Sequence, residues 1–439
     1  MKYILTIIAA LGLAIVADAQ EKTLSLKECL ETGLQQNYDI LIERNVQRIS
    51  DNNATAANAG MLPTLGLSAG YMGSADRSTT TPVEGDKIVD NAAFDQTVDV
   101  GLSLNWTLFD GMRVRANYNK LRELQQKGEL QTRLTIEDFV ANLTAEYYNL
   151  IQQTLRLDNF RYAMALSRER VRIAETRYQI GNFSRLDVLQ ARVDFNADSS
   201  KYMSQQEAVT ASRIRINELM ANKIIDEKCI TRDSVIKVND ALKWDELQAQ
   251  MLESNVSLLI ADRNANISQL DLKAVKARNY PYLKLAAGYG YTLNRYGSGT
   301  TKTRGTLGPN VGLNLGFTIF DGNRRREQRN AKIEVENALY TREQIMQSLS
   351  ADLANFWQAY TNNLEVVNLE RQNLITAKEN YAIAMERYLL QDLSGIDMRE
   401  AQKSLLDAEE RILTAEYNTK LCEISLMQIS GNILSYLNE

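Results

Sequence analysis

The chain has 439 residues, a formal net charge of −5, no histidine and only four prolines. The lack of histidine removes the commonest general base and metal ligand, and the mild negative charge argues against a nucleic-acid partner. Cys29, Cys229 and Cys422 are far apart and odd in number, so they make neither a metal-type cluster nor a dense disulfide framework.

The N-terminus reads as a secretory signal over residues 1–19. Lys2 supplies the charge, Ile4 to Ala17 the apolar run, and Ala17-Asp18-Ala19 the small-residue cleavage pattern. The apolar run is short for a membrane span. Cys29 lies well past the cleavage site and is not a lipidated first residue. No other segment is apolar enough to cross a bilayer as a helix, so membrane insertion after export has to use strands.

The remainder is two copies of one unit. Asn37-Tyr38-Asp39-Ile40 recurs as Asn255-Val256-Ser257-Leu258, Pro63 as Pro281, and Ala69-Gly70-Tyr71 as Ala287-Gly288-Tyr289. Trp106-Thr107-Leu108-Phe109-Asp110-Gly111 recurs as Phe317-Thr318-Ile319-Phe320-Asp321-Gly322. Arg177-Tyr178 through Leu186-Asp187 recurs as Arg387-Tyr388 through Ile396-Asp397. Repeats of this kind are read before local structure. They define a first repeat over 20–221, a connector over 222–243 and a second repeat over 244–439.

In the first repeat a helix is expected over about 37–58, followed by strands over about 64–72 and 97–109. Leu65, Leu67, Ala69 and Tyr71 alternate with small residues, as do Val98, Val100, Leu102, Leu104, Trp106 and Leu108 with polar ones. Period two gives one apolar and one polar or small face, and runs of about ten residues match a tilted membrane strand. Aromatic residues cluster at the run ends, as interfacial girdles do: Tyr71, Trp106, Phe109, Tyr289, Tyr291 and Phe320. The polar stretch from Gly73 to Gln96 reads as a solvent loop.

From Met112 to Gln179 the sequence is free of proline and rich in helix formers, which predicts a helix over about 112–180, roughly 100 Å long. Leu150, Leu157, Met164, Val171 and Tyr178 recur every seven residues. Tyr360, Val367, Leu374, Tyr381 and Tyr388 do so in the second copy, which predicts a left-handed coiled coil. Ala174, Ala377 and Ala384 permit close packing. A turn at Gly181-Asn182-Phe183-Ser184 returns the chain into a helix over about 185–221. The non-helical connector carries Cys229 and the alternating Val235, Ile236 and Val238.

The second repeat predicts a helix over about 255–278 and strands over about 282–292 and 310–320, joined by a loop from Asn294 to Gly308. Helices over about 323–390 and 396–430 follow, with a turn at Asp392-Leu393-Ser394-Gly395. Four strands cannot close a barrel, since small ones need about eight, and open edges are not tolerated in lipid. Transmembrane strands therefore require several chains in one barrel: two would give eight strands, three would give twelve.

Carried by the repeat, by Phe-Asp-Gly at both strand-to-helix junctions and by Arg-Tyr-x-x-Gly-x-x-x-x-Leu-Asp-Val-Leu-x-Ala over Arg177 to Ala191, the mature chain resembles the TolC family of outer-membrane efflux proteins along nearly its whole length. The resemblance implies a mainly α protein with a membrane β-barrel: a homotrimer forming a 12-stranded barrel and an α-helical periplasmic tunnel of 12 helices. It implies an outer-membrane location extending into the periplasm, in contact with outer-membrane lipid. It further implies a periplasmic adaptor (membrane-fusion) protein and an inner-membrane pump of the resistance-nodulation-division or ABC type. The duct would be passive, without catalytic residues, metal or cofactor, and would expel small molecules such as drugs and toxic compounds.

The resemblance also places residues. Asp397 and Glu400 match acidic rings that constrict the pore entrance, where three copies of each would favour cations; a solvated helix N-terminus is the competing reading. Asp187 and Tyr388 match positions of a latch that holds the tip shut. A third latch position, an arginine in some members, is Leu393, and the glycine expected in the second turn is Gln391. Candidate adaptor contacts are Gly181, Asn182, Phe183, Ser184, Leu393, Ser394 and Gly395. Two alternatives stand beside small-molecule efflux: a type I protein-secretion duct and, more remotely, a secreted coiled-coil scaffold. An enzyme is disfavoured, since no Gly-x-Ser-x-Gly or phosphate loop is present.

Overall fold

The computed structural model describes residues 22–181, 184–299, 301–390 and 392–438. The proposed signal at 1–19, Asn182, Phe183 and Gln391 lie outside them. The chain divides into two units. The first takes 22–44, 132–258 and 345–438 of the described residues, and the second 45–131 and 259–344.

In chain order the elements are β1 (Lys22–Leu24), α1 (Leu26–Gln36), α2 (Tyr38–Asn53), β2 (Thr64–Thr80), β3 (Ile88–Asp110), α3 (Arg113–Gln179) and α4 (Arg185–Leu219). Then come β4 (Cys229–Thr231), α5 (Trp244–Ser254), α6 (Val256–Ala277), β5 (Tyr282–Arg295), β6 (Thr303–Gly316), α7 (Arg324–Leu389), α8 (Gly395–Ile429) and a 3-10 turn (Ile433–Leu437). Among the described residues no helix is long and apolar enough to cross a membrane.

The second unit holds an antiparallel sheet of order β2-β3-β5-β6. Its rungs sort side chains by face. Leu65, Leu104, Ala287 and Val311 share one rung, and Leu67, Leu102, Tyr289 and Pro309 the next. Directly opposed residues point to the same face, so these rungs make one continuous apolar face. Leu65, Leu67, Val311, Leu313 and Leu315 are all exposed on it. The opposite face is small and polar, with rungs such as Gly66, Ser103, Gly288 and Asn310. A β-bulge between Thr107 and Phe109 lets Phe109 pair with Leu283 and stay on the apolar face with Trp106.

Three expectations change here. The solvent loop from Gly73 to Gln96 is mostly sheet: β2 and β3 continue pairing out to Thr80 and Ile88, with an irregularity between Asp76 and Ser78. Threonine is a favoured strand residue, so a polar stretch need not be a loop. The last strand, expected over 310–320, is Thr303–Gly316 instead. Gly316 pairs with Tyr282, the first residue of β5 after Pro281, so no residue of β5 is left for Phe317 to Phe320 to pair with. The helix expected over 37–58 ends at Asn53 in a turn that closes on Gly60, in the left-handed region at φ 85°.

The first unit packs helical hairpins around a core that includes Leu30, Ile40, Leu143, Tyr147, Leu150 and Ile216. The short parallel pair β1–β4 and the helices α1 and α5 were not visible as elements in the sequence. Within the connector, Cys229 lies in β4, while Val235, Ile236 and Val238 are not in a strand. The three cysteines are buried, and none forms a disulfide among the described residues. Two asparagines play matching parts. Asn37 Oδ1 accepts from the Asp39 and Ile40 amides, capping α2, while its Nδ2 donates to the Leu219 carbonyl at the end of α4 (3.0 Å). Asn255 caps α6 in the same way and donates to the Ile429 carbonyl at the end of α8 (2.9 Å). Each satisfies orphan groups of two helix ends at once.

The expected heptad stripes fare differently. Tyr360, Val367, Tyr381 and Tyr388 of α7 are buried. In α3 only Leu150 is, and the stripe emerges until Tyr178 is 48% exposed. The buried seam of α3 is instead Ala163, Ser167, Arg170, Ala174 and Arg177. Their spacing of four and three is also heptad-like, but the residues are small or polar, so hydrophobicity alone does not reveal this second buried face. Leu157 and Val171 of the expected stripe are partly buried against the core.

Candidate functional site

The tips are the two helix-to-helix turns of the first unit. In the first, Gly181 has φ 81°, a left-handed conformation that any side chain would strain, and its amide donates to the Tyr178 carbonyl (3.1 Å). Ser184 then starts α4 with a capping box: its Oγ accepts from the Asp187 amide (3.3 Å), and Asp187 Oδ2 accepts from the Ser184 amide (3.0 Å). In the second, Ser394 Oγ accepts from the Asp397 amide (3.1 Å) and donates to its carboxylate (2.8 Å). Leu393 is half-buried against the cluster of Tyr381, Tyr388, Met398 and Leu405. Arg387 holds Asp392 through two contacts of 2.9 Å.

Asp187 and Asp397, expected as a latch and a ring residue, both stand at the third position of a serine-capped helix; Asp187 completes a capping box, while the Asp397 carboxylate accepts from the Ser394 hydroxyl. The signal was legible as Ser-x-x-Asp in both turns. Tyr388 is 2% exposed. Burial pushes its phenol pKa up, against the opposing charges of Arg177 and Arg170. The Arg177 guanidinium stacks on its ring (4.9 Å) and donates to its carbonyl (2.9 Å). Asp187, Tyr388, Gly395 and Glu400 line one cavity of about 310 Å³, together with Arg170 and Arg399. Asp397 and Glu400 are exposed, and neither forms an ion pair among the described residues.

Behind this cavity is a polar network that hydrophobic patterning does not reveal. Arg399 of α8 donates to both carboxylate oxygens of Asp198 in α4 (2.6 and 2.8 Å). Ser167 of α3 donates to the same carboxylate. Arg170 binds Asp194 (2.7 Å) and Gln402 (3.2 Å), and Gln402 reaches the Ala163 carbonyl (3.4 Å). Ser167, Arg170, Asp198 and Gln402 are buried. Burial pushes the Asp198 carboxyl up, but the hydrogen bonds from Arg399 and Ser167 and the charges of Arg399 and Lys201 outweigh it, so its pKa lies below the usual aspartate range. The repeat holds the missing signal. With Arg177 matched to Arg387, Ser167 corresponds to Ala377, Asp198 to Ala408 and Arg399 to Leu189. These three members occupy positions where the other copy is apolar, whereas Arg170, Asp194 and Gln402 correspond to Asn380, Ser404 and Arg192.

A sheet with one exposed apolar face and two long helical hairpins with acidic, capped tips together define an outer-membrane efflux channel, a transport protein and not an enzyme. The chain belongs to the outer membrane efflux protein family, whose model matches residues 30–222 and 247–432. It is 20% identical over 393 residues to the outer membrane protein TolC of Vibrio cholerae serotype O1, covering 86% of this chain and 84% of that one. Among solved structures it resembles the outer-membrane channel OprN (20% identity, TM-score 0.74, 93% of this chain and 90% of that one). It also resembles the Campylobacter jejuni CmeC outer membrane channel (17% identity, TM-score 0.78, 93% of this chain and 85% of that one).

Proposed function

We propose that three copies of this chain close one 12-stranded barrel, continued by 12 helices as a periplasmic tunnel, and form a passive duct for small toxic molecules. The observation that carries this reading is the sheet. Its apolar face is exposed, while β2 and β6 stand at its edges without a further strand partner among the described residues. Edges in lipid must pair, and β6 of one copy with β2 of the next would do so. The chain is organised as two repeats, 20–221 and 244–439, around the connector 222–243. Three Asp397 and three Glu400 ring the entrance. Asp187 and Tyr388 act at the closed tip.

A periplasmic adaptor engages the tips at Gly181, Asn182, Phe183, Ser184, Leu393, Ser394 and Gly395, and an inner-membrane pump supplies the energy. Exposed apolar side chains beside the turns, Ile180, Leu186, Leu390 and Ile396, favour a covered tip over a freely solvated one. The test is the native mass and conductance of protein extracted from outer membranes in detergent. A particle of three chains that conducts in planar bilayers is expected. A soluble monomer or dimer without conductance would remove the shared barrel and the duct with it.

A further inference from the structure

A second cavity, of about 540 Å³, lies in the sheet-bearing unit between the first turns of α3 and the last turns of α6. Its apolar lining comes from Phe109, Met112, Leu270 and Tyr280. Phe109 belongs to the apolar sheet face, because the bulge sets it opposite Leu283. The cavity therefore continues the surface that meets the bilayer interior and opens at the end of the strands where the helices begin.

Arg115, Lys273 and Lys276 also line this cavity, and all three are exposed. Lys273 and Lys276 are three residues apart on one face of α6, while Arg115 approaches from α3. Their basic neighbours are satisfied: Arg113 pairs with Asp110 (3.0 Å), Lys120 with Asp271 (2.7 Å) and Arg278 with Asp321 (2.6 Å). Arg115, Lys273 and Lys276 form no ion pair among the described residues. Lysines in a last helical turn favour the dipole, but that does not account for an arginine on the facing helix or for the apolar floor between them.

We propose that this cavity binds an anionic glycerophospholipid of the leaflet next to the helices, with acyl chains along Phe109, Met112, Leu270 and Tyr280 and the phosphate held by Arg115, Lys273 and Lys276. Polar and charged groups at this depth meet headgroups, and each juxtamembrane cation adds to anionic-lipid attraction. A combined apolar slot and cation cluster selects a lipid over a free anion, since the anion alone leaves the slot empty. The site would anchor the channel at a fixed depth where the strands end.

The inference rests on the sheet face meeting lipid, and one experiment reads the two separately. Native mass spectrometry of the detergent-purified protein is run with phosphatidylglycerol or phosphatidylethanolamine of identical acyl chains. The particle mass reports assembly and the adducts report the lipid. Wild type should retain phosphatidylglycerol preferentially. The R115Q/K273Q/K276Q variant should assemble normally and bind phosphatidylglycerol about tenfold or more weakly. Leu270→Trp, which fills the slot and keeps the charges, should also lose it. Equal retention of both lipids by wild type, undiminished phosphatidylglycerol on the triple variant, or its displacement by excess inorganic phosphate would each overturn the proposal.

Discussion

Arg399 grips Asp198 across two helices with both terminal guanidinium nitrogens, at 2.6 and 2.8 Å, and Asp198 is only 2% exposed. The acid belongs to α4 and the base to α8, so the pair fixes how the two return helices meet. Removing one partner of such a pair leaves a buried charge and costs about 3–5 kcal/mol, whereas replacing both by apolar groups of similar volume is often neutral. Asp198→Ala should therefore lower the thermal midpoint sharply. The double change Asp198→Leu with Arg399→Met should recover most of it, although Ser167 and Asp194 temper the gain. Calorimetry of the purified channel checks this; equal midpoints for Asp198→Ala and wild type would remove the network's structural role.

The same carboxylate sets a pH dependence. Its folded pKa is depressed below the unfolded aspartate value of about 3.9. A depressed acid contributes stability at pH above the unfolded value and loses it as pH falls through the folded one. Wild type should thus lose thermal stability below about pH 4 more steeply than Asp198→Asn. Parallel acid limbs for the two proteins would show that other carboxylates dominate.

The two Phe-Asp-Gly motifs should respond unequally to alanine. Gly111 has φ 70°, and a Cβ there would collide with the Ala277 carbonyl. Gly322 is not in that region, and the nearest atom to its Cβ would be Phe320 Cζ at 3.9 Å. Gly111→Ala should cost at least about 1–2 kcal/mol from the left-handed backbone alone, with the collision added. Gly322→Ala should be near neutral. Thermal midpoints of the two variants, measured side by side, decide between this and an equal role for both motifs.

The proposed ring role of Asp397 can be separated from its place in the turn. Asp397→Asn keeps a side chain able to serve the turn but removes the charge, and Glu400 has no capping bond to lose. Asp397→Asn with Glu400→Gln should reduce cation preference in a reconstituted pore while leaving assembly intact. Reversal potentials in a salt gradient give the answer, and unchanged selectivity would place the constriction elsewhere.

The order of the four sheet strands and of the long helices was readable from residues alone, while β1, β4, α1 and α5 were not. Strand alternation, proline-free helical stretches and the Ser-x-x-Asp caps are properties of a short length of backbone, which neighbours do not alter. From them follow the strand pair before each long helix and the turns at Gly181 and Ser394. What the tertiary structure decided was which surfaces meet. Pairing with β3 carried β2 through polar residues to Thr80, and the late start of β5 left Phe317 to Phe320 unpaired. Two heptad stripes were available on α3, and packing chose Ala163, Ser167, Arg170, Ala174 and Arg177 over the more hydrophobic one. The physical reason is that a polar side chain is stable in a seam only if its partner arrives from another helix. Asp198 and Arg399 lie some 200 residues apart in the chain, and no local pattern announces such a partner.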